Sequence, residues 1–379
     1  MKKIVYVTGS RAEFGLMLPT LKAISKSPRL SLFVIVTGMH LWGGQESLNF
    51  IKSTGLNIFR IIEPRQNLGT DASSQLLYAA QMLTELSAVF KEINPQMVLI
   101  EGDRFEQLAV AMAAASFNIP IAHTSGGHVT KSIDDSVRHS ITKFANLHFP
   151  NSDQCAGRIL KMGEEPWRIH LVGTPICKDI ASKEETEKKL GVTLSKETVL
   201  VLQHPVSTQV EEAGEQMEIT LSTVSNLNLN TIVIYPNGDP GSDKIIRIIQ
   251  KYKERYNEKN NFNVFKNLEP SIYLGLLNNV GLLVGNSSSG IWEAPFFKLP
   301  AVNLGIRESG RDRAINIIDV DHNQEEIEKA IKTALSLQFR EKLEKMNNPY
   351  KSENVEQNIV NVLEKIELNE KLLIKKMTY

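Results

Sequence analysis

At 379 residues the chain is longer than one hydrophobic core comfortably organises, so two domains are expected. Hydrophobic residues make up 42% and charged residues 23%, the range of an ordinary globular protein. The 43 basic and 43 acidic side chains cancel, so no chain-wide field draws the protein to nucleic acid or to an anionic membrane.

Short apolar runs alternate with helical stretches along nearly the whole chain, the pattern of parallel sheets covered on both faces. The start, Met1-Lys2-Lys3-Ile4-Val5-Tyr6-Val7, has a basic pair and an apolar run too short for a signal peptide. In the first half the predicted strands are 4–8, 32–36, 57–62, 97–100, 119–123, 147–150 and 169–172. Residues 71–93 predict a helix, with Leu76, Ala80, Leu83, Leu86 and Phe90 at helical spacing, Asp71 as its cap and Pro95 beyond its end. The polar segment 182–196, after Gly173-Thr174-Pro175, reads as the hinge. A second series of strands follows at 199–203, 232–235, 263–265, 282–284, 301–304 and 316–320. From Val355 to the end a long helix is expected, with Ile359, Val362, Leu363 and Ile366 apolar and Lys371, Lys375 and Lys376 suited to its C-terminal turns. The two halves are not repeats at the residue level, but two such open α/β sheets would face each other across a cleft. Cys155 and Cys177 lack the spacing of a zinc site and do not suggest a disulfide framework. No run approaches the ~20 apolar residues of a membrane span, and a cytoplasmic protein is expected.

Ligands of open α/β sheets bind beyond the carboxyl ends of the strands, and five motifs fall there. Thr8-Gly9-Ser10-Arg11-Ala12-Glu13-Phe14-Gly15 combines small residues with an arginine fork for an anion, or is a plain strand–helix turn. Glu101-Gly102-Asp103-Arg104 reads as a catalytic carboxylate beside a phosphate ligand, or as a surface pair. His123-Thr124-Ser125-Gly126-Gly127-His128 is followed by Asp134-Asp135-Ser136-Val137-Arg138-His139, where one aspartate could cap a helix. Its three histidines and two aspartates match no closed zinc pattern. His204-Pro205 follows the first strand of the second half. Gly285-Asn286-Ser287-Ser288-Ser289-Gly290-Ile291-Trp292-Glu293 opens a helix, with more serines than an N-cap needs. Its N–H and hydroxyl donors suit a diphosphate, and Glu293 could accept from ribose hydroxyls.

In this order the motifs resemble the hydrolysing UDP-N-acetylglucosamine 2-epimerases, nearest to the branch serving sialic and legionaminic acid synthesis. Val36-Thr37-Gly38-Met39-His40-Leu41, Tyr235-Pro236-Asn237 and Gly305-Ile306-Arg307 extend the likeness over nearly the whole chain. The resemblance implies α/β architecture of the GT-B type: Rossmann-like domains at 1–178, for the sugar, and 186–350, for UDP. Residues 351–379 would form a helix crossing back to the first domain. It implies a homodimer or homotetramer, a UDP-sugar substrate, and neither metal nor other cofactor. Asp103 and Asp134 would be the catalytic carboxylates and His204 a catalytic partner. Arg11, His40, Arg104, Asn237, Ser287, Ser288, Glu293 and Arg307 would line the substrate and nucleotide site.

Two departures stand out. Members nearest mammalian sialic acid synthesis carry a glutamate between the histidine and the glycine pair, where this chain has Ser125; His128 is the available proton carrier. Many relatives have arginine where this chain has Trp292, so the indole would remove a cation and add an apolar wall. The first tilts the expected substrate toward that of the legionaminic-acid-type relatives, a UDP-linked 2,4-diacetamido-trideoxyhexose, and the second is consistent with a less hydroxylated sugar; UDP-GlcNAc stays the other candidate. A glycosyltransferase of the same architecture and a non-catalytic nucleotide-sugar binder are the alternatives.

Overall fold

β-branched and apolar residues dominate the short runs, and all but one of the runs become strands, most of them buried on both faces and three at sheet edges only partly buried. The computed structural model describes residues 1–41, 46–64, 72–130, 133–175, 179–256 and 261–378. The first half contributes β1 (Lys2–Thr8), β2 (Leu30–Val36), β3 (Ile58–Ile61), β4 (Met97–Glu101), β5 (Ile121–Thr124) and β6 (Leu147–Phe149). The second contributes β7 (Val199–Leu202), β8 (Thr231–Ile234), β9 (Phe262–Phe265), β10 (Leu282–Gly285), β11 (Ala301–Leu304) and β12 (Ile317–Val320). All pairings are parallel.

The first sheet runs β3-β2-β1-β4-β5-β6 and the second β12-β11-β10-β7-β8-β9. Counted within its own half, each has the doubly wound order 3-2-1-4-5-6, and the order reverses between its first and fourth strands. In the first sheet that switch point lies beyond Thr8 and Glu101, and in the second beyond Leu202 and Gly285. Gly285 has no alternative there: its φ is +140°, and a Cβ would stand 2.0 Å from the carbonyl oxygen of Leu202 on the neighbouring strand.

The chain divides into two compact units. One comprises Met1–His128, Ile133–Cys177 and Tyr350–Tyr379, the other Val129–Ser132 and Lys178–Pro349. Alternate residues of β1 feed two cores in the first unit. Val5 and Val7 pack beneath the helices Ala72–Ile93 and Phe105–Ser116. Ile4 and Tyr6 pack beneath the helices Arg11–Lys26 and Val355–Lys365. The second helix of that pair buries Val355, Ile359, Val360 and Leu363, each worth about 1.5–3 kcal/mol as an upper estimate.

Three sequence expectations are corrected. The long terminal helix stops at Lys365, because Lys2 Nζ takes the carbonyls of Leu363, Glu364 and Ile366 at 3.1, 2.8 and 2.5 Å. Only a single turn, Glu370–Leu373, follows, capped by Asn369. Lys375 lies past it and pairs with the buried carboxylate of Glu164 at 2.9 Å. Residues 169–172 form no strand: Ile169 closes the 3₁₀ turn Pro166–Arg168 and keeps one bridge to His148. The segment expected as a hinge holds the helix Lys183–Leu190, fixed by a Ser182–Glu185 capping box and packed on the helix Pro270–Asn279. Asp71 and Cys177 lie outside the described residues, and Cys155 is buried.

Candidate functional site

At the first switch point, Ser10 caps the helix Arg11–Lys26 by accepting the Glu13 N–H at 3.4 Å. Glu13 reaches back to accept the Gly9 N–H at 3.2 Å, and its other oxygen accepts from the Tyr6 hydroxyl at 2.7 Å and the Gln107 amide at 3.2 Å. Burial nevertheless pushes its carboxyl up to about 8, with the nearby Glu101 charge adding to the rise. The β2 turn crosses at contact distance, for a Cβ on Gly38 (φ +59°) would lie 2.7 Å from the Gly9 carbonyl oxygen. That approach seats His40 between the hydroxyls of Thr8 (2.9 Å) and Ser47 (2.6 Å). Burial holds its imidazole down at about 3, helped by the charges of Arg11 and Arg104. Arg11, His40 and Arg104 are therefore neighbours, with Arg104 also bonded to Glu106 at 3.3 Å.

Arg138 organises the rest of this end. It is fully buried on the helix Asp134–Phe144 and donates to the Asp103 carboxylate, to Asp135 at 2.6 Å and to the His128 carbonyl at 2.9 Å. Asp103, His128 and the start of the Asp134 helix are so tied to one guanidinium. Neither Asp134 nor Asp135 caps that helix; both sit in its first turn, after Ile133. His128 is fully buried, its Nε2 3.3 Å from Asn151 Oδ1 and its Nδ1 3.3 Å from Cys155 Sγ. Ser125 adopts a left-handed φ of +59°, and its hydroxyl donates to the buried Glu101 carboxylate at 2.6 Å. His123 donates from Nε2 to the Gly102 carbonyl at 2.8 Å, and burial keeps it neutral, near 3. Among the described residues no three His, Cys, Asp or Glu side chains are grouped to hold a metal ion.

At the second switch point Asn286 is the fixed centre. Its amide exchanges two bonds with the His204 backbone, at 2.7 and 2.9 Å, and its carbonyl accepts from Arg307 at 3.1 Å. The Asn237 N–H donates to His204 Nδ1 at 3.1 Å. Burial, then the Arg307 charge, lowers the His204 imidazole to about 3. It is thus a neutral ring whose proton sits on Nε2. The serine run opens only one helical turn, Ser289–Trp292, followed by a 3₁₀ turn at Ala294–Phe297, so its donors act locally and no long-helix dipole backs them. Ser287 accepts the Ser289 N–H at 3.3 Å, while Ser288 stands at the cap position without making a capping bond. Burial raises the Glu293 carboxyl to about 7.

Trp292 does not strip this region of positive charge as expected. The Arg311 guanidinium lies 4.6 Å over the indole and is felt by Glu293, so a cation arrives from another part of the chain. Arg138, Asn286, Arg311 and Glu101 were given no individual role by sequence reasoning. The Asp135–Arg138 spacing of one helical turn was the available signal for the first. An asparagine between glycine and serine looks like any turn residue.

Comparison with known proteins gives one answer. A family model described as UDP-N-acetylglucosamine 2-epimerase matches residues 22–364. The UDP-N,N'-diacetylbacillosamine 2-epimerase (hydrolyzing) of Legionella pneumophila is 33% identical, over 100% of both chains. The GDP/UDP-N,N'-diacetylbacillosamine 2-epimerase (hydrolyzing) of Campylobacter jejuni is 34% identical, over 90% of this chain and 89% of its own. The crystal structure of UDP-GlcNAc 2-epimerase from Neisseria meningitidis bound to UDP-GlcNAc has the same fold, with a TM-score of 0.80 at 17% identity, covering 96% of this chain and 100% of that one. Two Rossmann-like units of a GT-B-like fold, carrying these residues at their strand ends, fit that match: the chain belongs to the UDP-N-acetylglucosamine 2-epimerase family.

Proposed function

We propose that the protein is a hydrolysing 2-epimerase that converts a UDP-linked 2-acetamido sugar to the free 2-epimer and UDP, supplying nonulosonic acid synthesis. The observation that carries this reading is the placement of the candidate residues at the two switch points: carboxylates and Arg138 on one sheet, His204 and the serine run on the other. Domain 1–178 provides the sugar chemistry and domain 186–350 the UDP site. A carboxylate, Asp103 or Asp134, removes the proton on sugar carbon 2 as the bond from carbon 1 to the diphosphate oxygen breaks. Its electron pair leaves with UDP, and a glycal remains. Water then adds hydroxide to carbon 1, and the second acid delivers a proton to carbon 2 from the opposite face. The leaving diphosphate gathers charge, which Arg11, the neutral Nε2–H of His204, Ser287 and Ser288 stabilise. Asn237, Glu293 and Arg307 hold the nucleotide, while His40, Arg104, Ser125 and His128 serve the sugar side.

The substrate we assign is UDP-2,4-diacetamido-2,4,6-trideoxyglucose in preference to UDP-GlcNAc. The names of the Legionella and Campylobacter relatives, both diacetylbacillosamine epimerases, support that order. We assign a cytoplasmic homodimer or homotetramer; among the described residues no helix is long and apolar enough to cross a membrane. The test is turnover of both UDP-sugars in deuterated water, followed by NMR. Deuterium at carbon 2 of a released, inverted free sugar is expected. UDP release without that label, or transfer of the sugar to an acceptor with carbon 2 retained, rejects the reading.

A further inference from the structure

Ser125 holds a left-handed backbone, φ +59°, that costs a serine free energy a glycine would not spend. Such a conformation persists only where its surroundings hold it. Here the Ser125 N–H donates to the Phe149 carbonyl at 3.3 Å, and the hydroxyl donates to Glu101 Oε1 at 2.6 Å. Glu101 ends β4 opposite Thr124, the last residue of β5, and its buried carboxylate also accepts from the Thr124 hydroxyl. An apolar residue would fill this strand end without the cost of burying a carboxylate, so the grip on Ser125 calls for an explanation beyond packing.

The bond closes a ring between two loops that run side by side, Glu101-Gly102-Asp103 beyond β4 and Thr124–His128 beyond β5. At one end Glu101 holds Ser125. At the other, Arg138 holds both the Asp103 carboxylate and the His128 carbonyl, the latter at 2.9 Å. Between them the Gly102 N–H donates to the Thr124 carbonyl at 3.2 Å, and the Gly102 carbonyl accepts from His123 at 2.8 Å. The far side of the glycine pair is walled by backbone, for a Cβ on Gly127 would stand 2.3 Å from the Cys155 carbonyl oxygen. The Asp103 loop is thus tied to the glycine loop at both ends, and Glu101 supplies the tie that Arg138 does not. We propose that Glu101 is a positioning residue for the epimerisation: acting through Ser125, it locks the Ser125–His128 loop against the Asp103 loop and so sets how the Asp103 carboxylate is presented to the sugar. The inference rests on the reading of the chain as a 2-epimerase that uses Asp103 on the sugar.

The test is steady-state turnover of the UDP-sugars, calorimetric titration with UDP, and hydrogen exchange of the backbone amides of residues 125–128, all on the full chain. The variants are Glu101→Ala, Glu101→Gln, Ser125→Glu and the double variant that carries Glu101→Ser with Ser125→Glu. Glu101→Ala should lower kcat by about tenfold or more and speed exchange at 125–128 by about as much, with KM and UDP affinity within about twofold of wild type. Glu101→Gln keeps an oxygen for the Ser125 hydroxyl and should stay within about threefold of wild type in kcat. Ser125→Glu alone sets two carboxylates face to face. The double variant restores one hydroxyl and one carboxylate across the same gap, and should turn over about tenfold faster than Ser125→Glu. Wild-type kcat in Glu101→Ala, unchanged exchange at 125–128, or UDP affinity falling in step with kcat overturns the proposal and leaves the 2-epimerase reading intact. So does a double variant no faster than Ser125→Glu. Should Glu101→Ala not fold, Glu101→Gln and the double variant decide the matter by the same comparisons. A wild-type chain that turns over neither UDP-sugar overturns both the proposal and the reading beneath it.

Discussion

Replacing His204 separates the structural bond its ring makes from the donor role proposed for it. The Asn237 N–H can only donate, so Nδ1, 3.1 Å away, accepts and Nε2 keeps the proton. With its pKa near 3 the ring carries no charge in the working pH range. His204→Asn retains an acceptor where Nδ1 stood but loses the donor; His204→Gln places an N–H near Nε2 but loses the acceptor. A neutral donor to a phosphate oxygen is worth about 1.5–3 kcal/mol. The Asn variant should therefore lose about 10–150-fold in kcat/KM with little change in stability. The Gln variant should keep most activity and instead lose about 1–3 kcal/mol of stability, because a buried N–H is left unpaired. UDP release measured from pH 5.5 to 8.5, with urea melts of each variant, separates these outcomes. An Asn variant as active as the wild type refutes the donor role. An activity limb between pH 6 and 7 that vanishes in both variants refutes the neutral ring.

The first unit should be most stable near pH 6.5. Above that Glu13, with its carboxyl at about 8, loses the proton that its fold retains, and below it His40 and His123, held at about 3, oppose protons that the unfolded chain accepts. Between pH 6.5 and 8.5 wild-type stability should fall by about 1 kcal/mol and that of Glu13→Gln should rise by about as much; urea melts showing the same slope for both rule this out. Arg138→Met strips Asp103 and Asp135 of their shared cation, and since both carboxylates keep some solvent, about 2–4 kcal/mol of stability should go, with a fall in kcat and little change in UDP affinity. Arg138→Lys, which keeps charge but not the fork, should restore stability more than turnover; equal recovery of both argues against a positioning role. Gly38→Ala puts a methyl 2.7 Å from the Gly9 carbonyl at a left-handed φ, so thermal melts should show a loss of about 1–3 kcal/mol; a neutral effect would mean the two turns do not touch.

The fold was legible because parallel strands buried on both faces write near-continuous apolar runs, and twelve of the thirteen predicted strands appear. The thirteenth, at 169–172, has the same composition but runs along an edge where Pro166 and Gly173 bracket it. The helix ended by Lys2 was not legible, since a capping group more than 360 residues away leaves no local mark. At the candidate site, residue types at strand ends pointed to loops that lie at the two switch points, because switch points follow from topology. The partnerships within those loops did not show: Ser125 with Glu101, Trp292 with Arg311 and His204 with Asn286 each join segments distant in sequence or roles that composition cannot rank.

Lys2 holding the end of the helix Val355–Lys365, and Arg168 holding the carbonyls of Lys371, Leu372 and Ile374, have a consequence for how the chain is made. The unit begun first on the ribosome is finished last. Its β1 core stays open on one face while all of Lys178–Pro349 is synthesised, and that second unit can close before the first. A stop codon near residue 350 would therefore do its damage far from its own position, in the unit already translated, and leave the second unit able to fold.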